Sequence, residues 1–122
     1  STGSAIRGYS STPGVGVQAL AVTPGELSPE DLISQVSDGV LVQGVSGLHS
    51  GVNPVSGDFS TGAEGLRIRN GQLAEPVREF TIASTIQKML SDVNGIGNDL
   101  QWLPMRAAGV TLVIGELTVS GA

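Results

Sequence analysis

The sequence predicts a single β-rich α+β domain: about six strands in a sandwich- or barrel-like arrangement, with two short helices. Three observations predict it. Short runs of Val, Leu, Ile and Ala recur between Gly, Pro, Ser and Asn, the pattern of strands punctuated by turns. Asn70-Gly71 stands between two such runs, and this dipeptide suits a tight hairpin because both central residues of a type I′ turn need φ > 0. Two segments join a capping residue to a helical apolar stripe, and both are short.

Residues 1–14 read as loop. Residues 15–22 read as a strand, stopped by Thr23-Pro24-Gly25. Ser28 can cap a helix over 29–37, with Pro29 at the first helical position and Glu30 and Asp31 facing the positive end of the dipole. Leu32, Ile33 and Val36 form its apolar stripe, and Gly39 is its stop. Residues 40–45 form the next strand, and a Gly/Ser/Asn-rich loop follows over 46–57. In the strand over 59–69, Leu66 and Ile68 alternate with Arg67 and Arg69. The return strand spans 72–83, and Pro76 within it requires an edge position, a bulge or a break. Ser84 caps a helix over 85–93, with Ile86, Met89, Leu90 and Val93 on one face and Asn94-Gly95 ending it. Further short strands are expected over 100–103, 110–114 and 117–119.

At 122 residues the chain supports one domain, 1–122, with a core of its own. Aromatics are scarce, so that core rests on aliphatic side chains. Eleven acidic residues against six basic ones give a net charge of -5 with no basic cluster, which argues against direct binding to nucleic acid. Charged residues reach only 14%, where about 25% is usual, so part of the surface is expected to lie against another domain or subunit. The absence of cysteine removes disulfides, thiolate metal sites and cysteine nucleophiles. No run approaches the length of a membrane span, and residues 1–14 lack the form of a signal peptide. The abrupt, polar, Gly-rich opening has the look of a fragment whose N-terminal region is absent.

Motif by motif, the sequence holds no complete catalytic set. Gly14-Val15-Gly16-Val17-Gln18-Ala19 matches G-x-G-x-x-A, but a strand follows where a phosphate site needs a helix. Asp92, Asn94 and Gly97 fit three positions of a calcium loop, while Ile96 and Leu103 occupy positions that must ligate. His49 is the only histidine, the residue type suited to act as a base near neutral pH. One histidine without cysteine or clustered carboxylates makes no zinc site. No catalytic residue and no metal ligand is therefore assigned. The loop around His49 is instead the first place to look for substrate contacts, with His49, Ser50, Asn53, Asp58 and Ser60 as candidate peptide-binding residues. The alternative for Asn53-Pro54 and Gly57-Asp58 is that they only form turns. An extended peptide could add to a strand edge near 59–63, where Ser60, Thr61, Gly62 and Ala63 are small. The competing reading places that hairpin inside a sheet.

Five segments in order give the chain a wider likeness: His49-Ser-Gly-Val-Asn-Pro-Val-Ser-Gly-Asp-Phe-Ser60, Gly65-Leu-Arg-Ile-Arg-Asn-Gly71, Pro76-Val-Arg-Glu-Phe-Thr-Ile-Ala83, Gly97-Asn-Asp-Leu100 and Leu117-Thr-Val-Ser-Gly121. Together they resemble the C-terminal domain of the TldD/PmbA family, over nearly the whole chain and most specifically over 49–100. The resemblance implies a cytoplasmic, paired metallopeptidase acting on unfolded proteins or peptides, whose members are also described as modulators of DNA gyrase. It implies zinc in the catalytic TldD-type subunit, held by a His-Glu-x-x-x-His helix upstream of this domain, and none in this fragment. TldD-type members carry a cysteine after the Gly-Asn-Asp-Leu-like segment, whereas this chain reads Gln101-Trp-Leu-Pro-Met-Arg-Ala-Ala108. That difference favours the non-zinc PmbA/TldE type. The expected partners are a TldD-like subunit, the protein's own N-terminal domain and an unfolded peptide, with no nucleic acid and no membrane. The expected function is substrate handling and subunit assembly, with the fragment alone inactive. The alternatives are the C-terminal domain of a divergent catalytic zinc subunit, or a purely structural interaction module.

Overall fold

The computed structural model describes residues 4–16, 19–104 and 107–121. In chain order its elements are β1 (Ala5–Ile6), β2 (Gly14–Val15), β3 (Leu20–Ala21), α1 (Pro29–Ser34), β4 (Asp38–Ser46), α2 (Leu48–Gly51), β5 (Asp58–Arg69), β6 (Gln72–Thr85), α3 (Ile86–Ser91), β7 (Val93–Ile96), β8 (Gln101–Trp102), β9 (Ala107–Gly109), β10 (Leu112–Ile114) and β11 (Thr118–Gly121). The domain is strand-rich α+β, as expected. The sheets are open rather than closed into a barrel.

The spine is an antiparallel sheet ordered β11-β6-β5-β4. Its hairpin turns at Asn70 (φ 51°) and Gly71 (φ 75°), the two positive values that the dipeptide predicts. The turn is anchored on the end of α1, where Gly71 N–H donates to Val36 O and Asn70 N–H to Ser37 O, each at 2.7 Å. Ser28 caps α1 by accepting from Asp31 N–H at 3.2 Å.

The register of this sheet slips by one residue in three places. Gln43 is extra on β4, between the pairs Val42–Gly65 and Gly44–Glu64. β6 carries an extra residue between the pairs Ala63–Phe80 and Gly65–Val77, and another between Leu66–Pro76 and Ile68–Leu73. Glu79, in the first of these β6 segments, has φ 56°, a left-handed backbone that strains a residue with a Cβ. Pro76 lies at the second slip, beyond the reach of the short β11, so no ladder partner misses its N–H.

The core of the spine lies on one face of β5 and β6. Ala63, Phe80 and Ile82 are buried there, with Val40, Phe59 and Val77 packed against them. Nearer the turn the burial moves to the other parity of β5, where Ile68 is buried and Arg67 pairs with Asp38.

The rest is a patchwork of short pieces. β1 pairs with β2, β10 with β7, and β3 and β8 flank β9. Residues 97–99 tie several pieces together. Gly25 N–H donates to Gly97 O (2.9 Å), Asn98 N–H to Leu27 O (2.9 Å) and Gly97 N–H to Thr111 O (2.8 Å). Asp99 clasps Thr111 from two sides, accepting from its hydroxyl at 2.7 Å and its N–H at 3.1 Å.

Several expectations need correction. The described residues hold eleven strands and three helices, not about six and two, because apolar runs of two to four residues pair as separate strands. The run over 15–22 gives two strand ends, with 17–18 outside the described residues. Ser84 remains in β6, and the second predicted helix is capped by Thr85 Oγ1, which accepts from Lys88 N–H at 3.1 Å. That helix ends at Ser91, and Val93–Ile96, read as its tail and stop, pairs with β10.

Candidate functional site

The segment between β4 and β5 is short and closely tied to its own backbone. Gly47 (φ 76°) turns the chain into the one-turn α2, which carries His49. Gly51 then lies so close to Ser60 O that no side chain would fit there. Asn53 Oδ1 accepts from Val55 N–H at 2.9 Å and Ser56 N–H at 3.3 Å, Gly57 N–H donates to Asn53 O, and Asn53 N–H to Asp58 O. Asp58 Oδ2 accepts from Ser56 Oγ at 2.9 Å. Gly57 O accepts from Ile86 N–H at 2.7 Å, which fixes the loop to α3.

The five predicted residues are thus engaged very differently. Asn53 and Asp58 use their side chains in hydrogen bonds within the turn. Ser50 Oγ bonds Gly47 O at 3.4 Å. His49 is exposed at the surface of α2, and Ser60 is exposed on β5. His49 and Ser60 make no side-chain hydrogen bond among the described residues.

The strand edge expected at 59–63 is closed. β6 pairs along one side of this stretch. Val52 bridges Phe59, and Val45 and Ser46 pair with Ala63 and Gly62 on the other side. One edge of the sheet is a strand further out, along β4, and the other is at β11. This nine-residue strand, Asp-Gly-Val-Leu-Val-Gln-Gly-Val-Ser, has one charged residue and no proline, so its irregularity at Gln43 is its main protection against pairing. Val42 and Val45 are partly exposed upon it.

Beside this edge is a groove of about 420 Å³, lined by Gly44, Val45, Ser46, Glu64, Arg78 and Glu79 with Gly62 and Ala63. Sequence reasoning missed it. The available signal was a charged pair, Arg78-Glu79, between Val77 and Phe80 and two residues after a proline. Among the described residues no cluster of His, Cys, Asp or Glu could hold a metal ion, and no helix is long and apolar enough to cross a membrane.

The likeness to known proteins runs over nearly all of this chain. Residues 1–121 match the model of the PmbA/TldA metallopeptidase C-terminal domain. The metalloprotease PmbA homolog of Haemophilus influenzae is 36% identical over 90 residues, covering 74% of this chain and 19% of that protein. The crystal structure of TldE from Thermococcus kodakarensis superposes with a TM-score of 0.86 at 25% identity, over 99% of this chain and 28% of that one. A proposed modulator of DNA gyrase from Bacteroides thetaiotaomicron gives 0.80 at 31% identity, over 88% and 24%. The chain therefore spans 19% to 28% of the length of these relatives. By this match and by the fold, the chain belongs to the PmbA/TldD metallopeptidase family, as its C-terminal domain.

Proposed function

We propose that this domain handles substrate and assembles subunits in a cytoplasmic TldD/PmbA-like metallopeptidase, as part of a PmbA/TldE-type subunit without zinc. In this reading a TldD-like partner supplies the zinc and an unfolded peptide is the substrate. The observation that carries it is the open, almost uncharged edge of β4, which offers its backbone groups to an extended chain. The partly exposed Trp102, Leu103 and Leu20, on a surface with few charges, support a covering partner or preceding domain. His49 and Ser60 remain available for side-chain contacts, whereas Asn53 and Asp58 act through the shape of the loop.

The test is made on the full-length protein assembled with its partner, using peptides N-methylated on alternate backbone amides. Pairing along an edge requires one parity of amides, so one methylated set should lose binding about tenfold or more while the other keeps it. Equal binding of both sets at the level of the unmodified peptide would remove strand addition as the mode of capture.

A further inference from the structure

One polar side chain interrupts the apolar row at the centre of the spine. Thr61 lies on β5 opposite Ile82 and two residues before Ala63, on the same face of the sheet. It is 3% exposed, the one buried polar residue among the described residues. Its Oγ1 makes no hydrogen bond among them. A hydroxyl taken out of water without a partner opposes its own burial, so whatever covers Thr61 is held down less firmly than it would be over a methyl group.

The cover is α2. Gly51, the last residue of that turn, packs on the Thr61 methyl: a Cβ at Gly51 would stand 3.2 Å from Thr61 Cγ2 and would collide with Ser60 O. β4 stops at Ser46, opposite Gly62, and from there residues 47–52 take over the flank of β5. They hold it by little. Val52–Phe59 is an isolated bridge, and the bonds from Ser50 N–H and Gly51 N–H to Gly47 O are internal to the turn. α2 buries none of its residues, and Leu48 is 48% exposed. At one end Gly47 (φ 76°) joins the segment to β4. At the other, the turn over 53–58 is closed by its own hydrogen bonds. The segment can therefore lift as one piece while the sheet and that turn keep theirs.

We propose that residues 47–52 form a strap built to open from the sheet, with the buried Thr61 hydroxyl setting how often it does. Lifting the strap breaks one bridge and little apolar packing, and it returns the hydroxyl to water. An unbroken apolar row beneath α2 would lock the strap shut; the hydroxyl poises it near closure. The movement carries His49 with it and uncovers the flank of β5 over 59–61. Ala63, Phe80 and Ile82 keep the sheet together meanwhile, so this is a local opening well below global unfolding.

The experiment is amide hydrogen exchange on the full-length protein, read by mass spectrometry on peptic fragments covering 47–53 and 77–85. In the parent the strap fragment should exchange about a hundredfold faster or more than the fragment from β6. Thr61→Val has nearly the same shape and no hydroxyl, and should slow exchange in the strap about tenfold. Thr61→Ser keeps the hydroxyl and should leave the strap at least as open as in the parent. Thermal melts accompany both variants. A raised midpoint for Thr61→Val with strap exchange unchanged would mean that the hydroxyl meets water only on global unfolding, and would overturn the proposal. Faster strap exchange or a lowered midpoint in Thr61→Val would show that the hydroxyl helps to hold the fold, and would overturn it as well. Gly51→Ala checks the strap independently of Thr61. The collision with Ser60 O should displace the strap and expose its amides, with the β6 fragment still protected. Loss of protection in both fragments would make the strap an integral part of the sheet and end the proposal.

Discussion

The long-stranded sheet and the patchwork around it are held by different forces. In the sheet β11-β6-β5-β4, three strands of nine to fourteen residues, β4, β5 and β6, bury Ala63, Phe80 and Ile82 among them, and cross-strand packing fixes the register. In the patchwork, strands of two to four residues leave Leu20, Trp102 and Leu103 partly exposed. There the order comes from polar ties, chiefly those of residues 97–99 to 25–27 and Thr111. Hydrophobic burial is cooperative over a whole face, while a clasp acts at one point. The sheet should therefore respond to changes in volume and backbone freedom, and the patchwork to changes in charge state.

The sharpest way to break this comparison is Phe80→Ala. Phe80 is 2% exposed at the centre of the core, and truncation should cost about 3–5 kcal/mol, read by denaturant titration. A cost below about 1 kcal/mol, the ordinary surface range, would mean that the sheet is not the organising half. Gly71→Val comes next. The residue holds φ 75° and a side chain would run into Ser34 O, so the loss should be about 2 kcal/mol. An unchanged thermal midpoint would detach the hairpin turn from α1.

The smallest effect sharpens the other half. The Thr111 hydroxyl, then its backbone N–H, lowers the pKa of Asp99 below the ordinary carboxylate value. A carboxylate with a lowered folded-state pKa stabilises above its unfolded value, here about 3.8, and loses that contribution as pH falls through the folded one. Asp99→Asn should thus melt below the parent at pH 6, with the gap closing below about pH 4. A gap independent of pH would show that the clasp works by shape alone.

Much of the spine was legible because its signals are local. Asn70-Gly71 states its own dihedral angles, Ser28-Pro29 states a helix start, and Pro76 announces an irregularity. The core parity was not legible. The alternation of Leu66 and Ile68 with Arg67 and Arg69 correctly places Ile68 inside near the turn. Extended along the regular β5, however, it would put Ala63 outside, and Ala63 is buried. The slips in β4 and β6 let the sheet change which face it buries, and slips depend on partner strands that are distant in sequence. The candidate site was legible in part for the same reason. Composition singles out the loop around His49, and the structure adds that the Asn53 and Asp58 side chains close local hydrogen bonds within it. The open edge and its groove depend on strand order, which no local motif encodes.

The extra residue at Gln43 also bears on which changes in chain length the gene can absorb. Val42 and Gly44 pair with the adjacent residues Gly65 and Glu64, so losing Gln43 would bring the two strands to equal count. Gly44, Val45 and Ser46 would keep their partners and their faces. A three-base deletion at Val45 would act differently, because Ser46 would then take its place opposite Ala63 and turn toward the buried face. Within one strand, the same change in length is absorbed at one position and exchanges inside for outside two positions later.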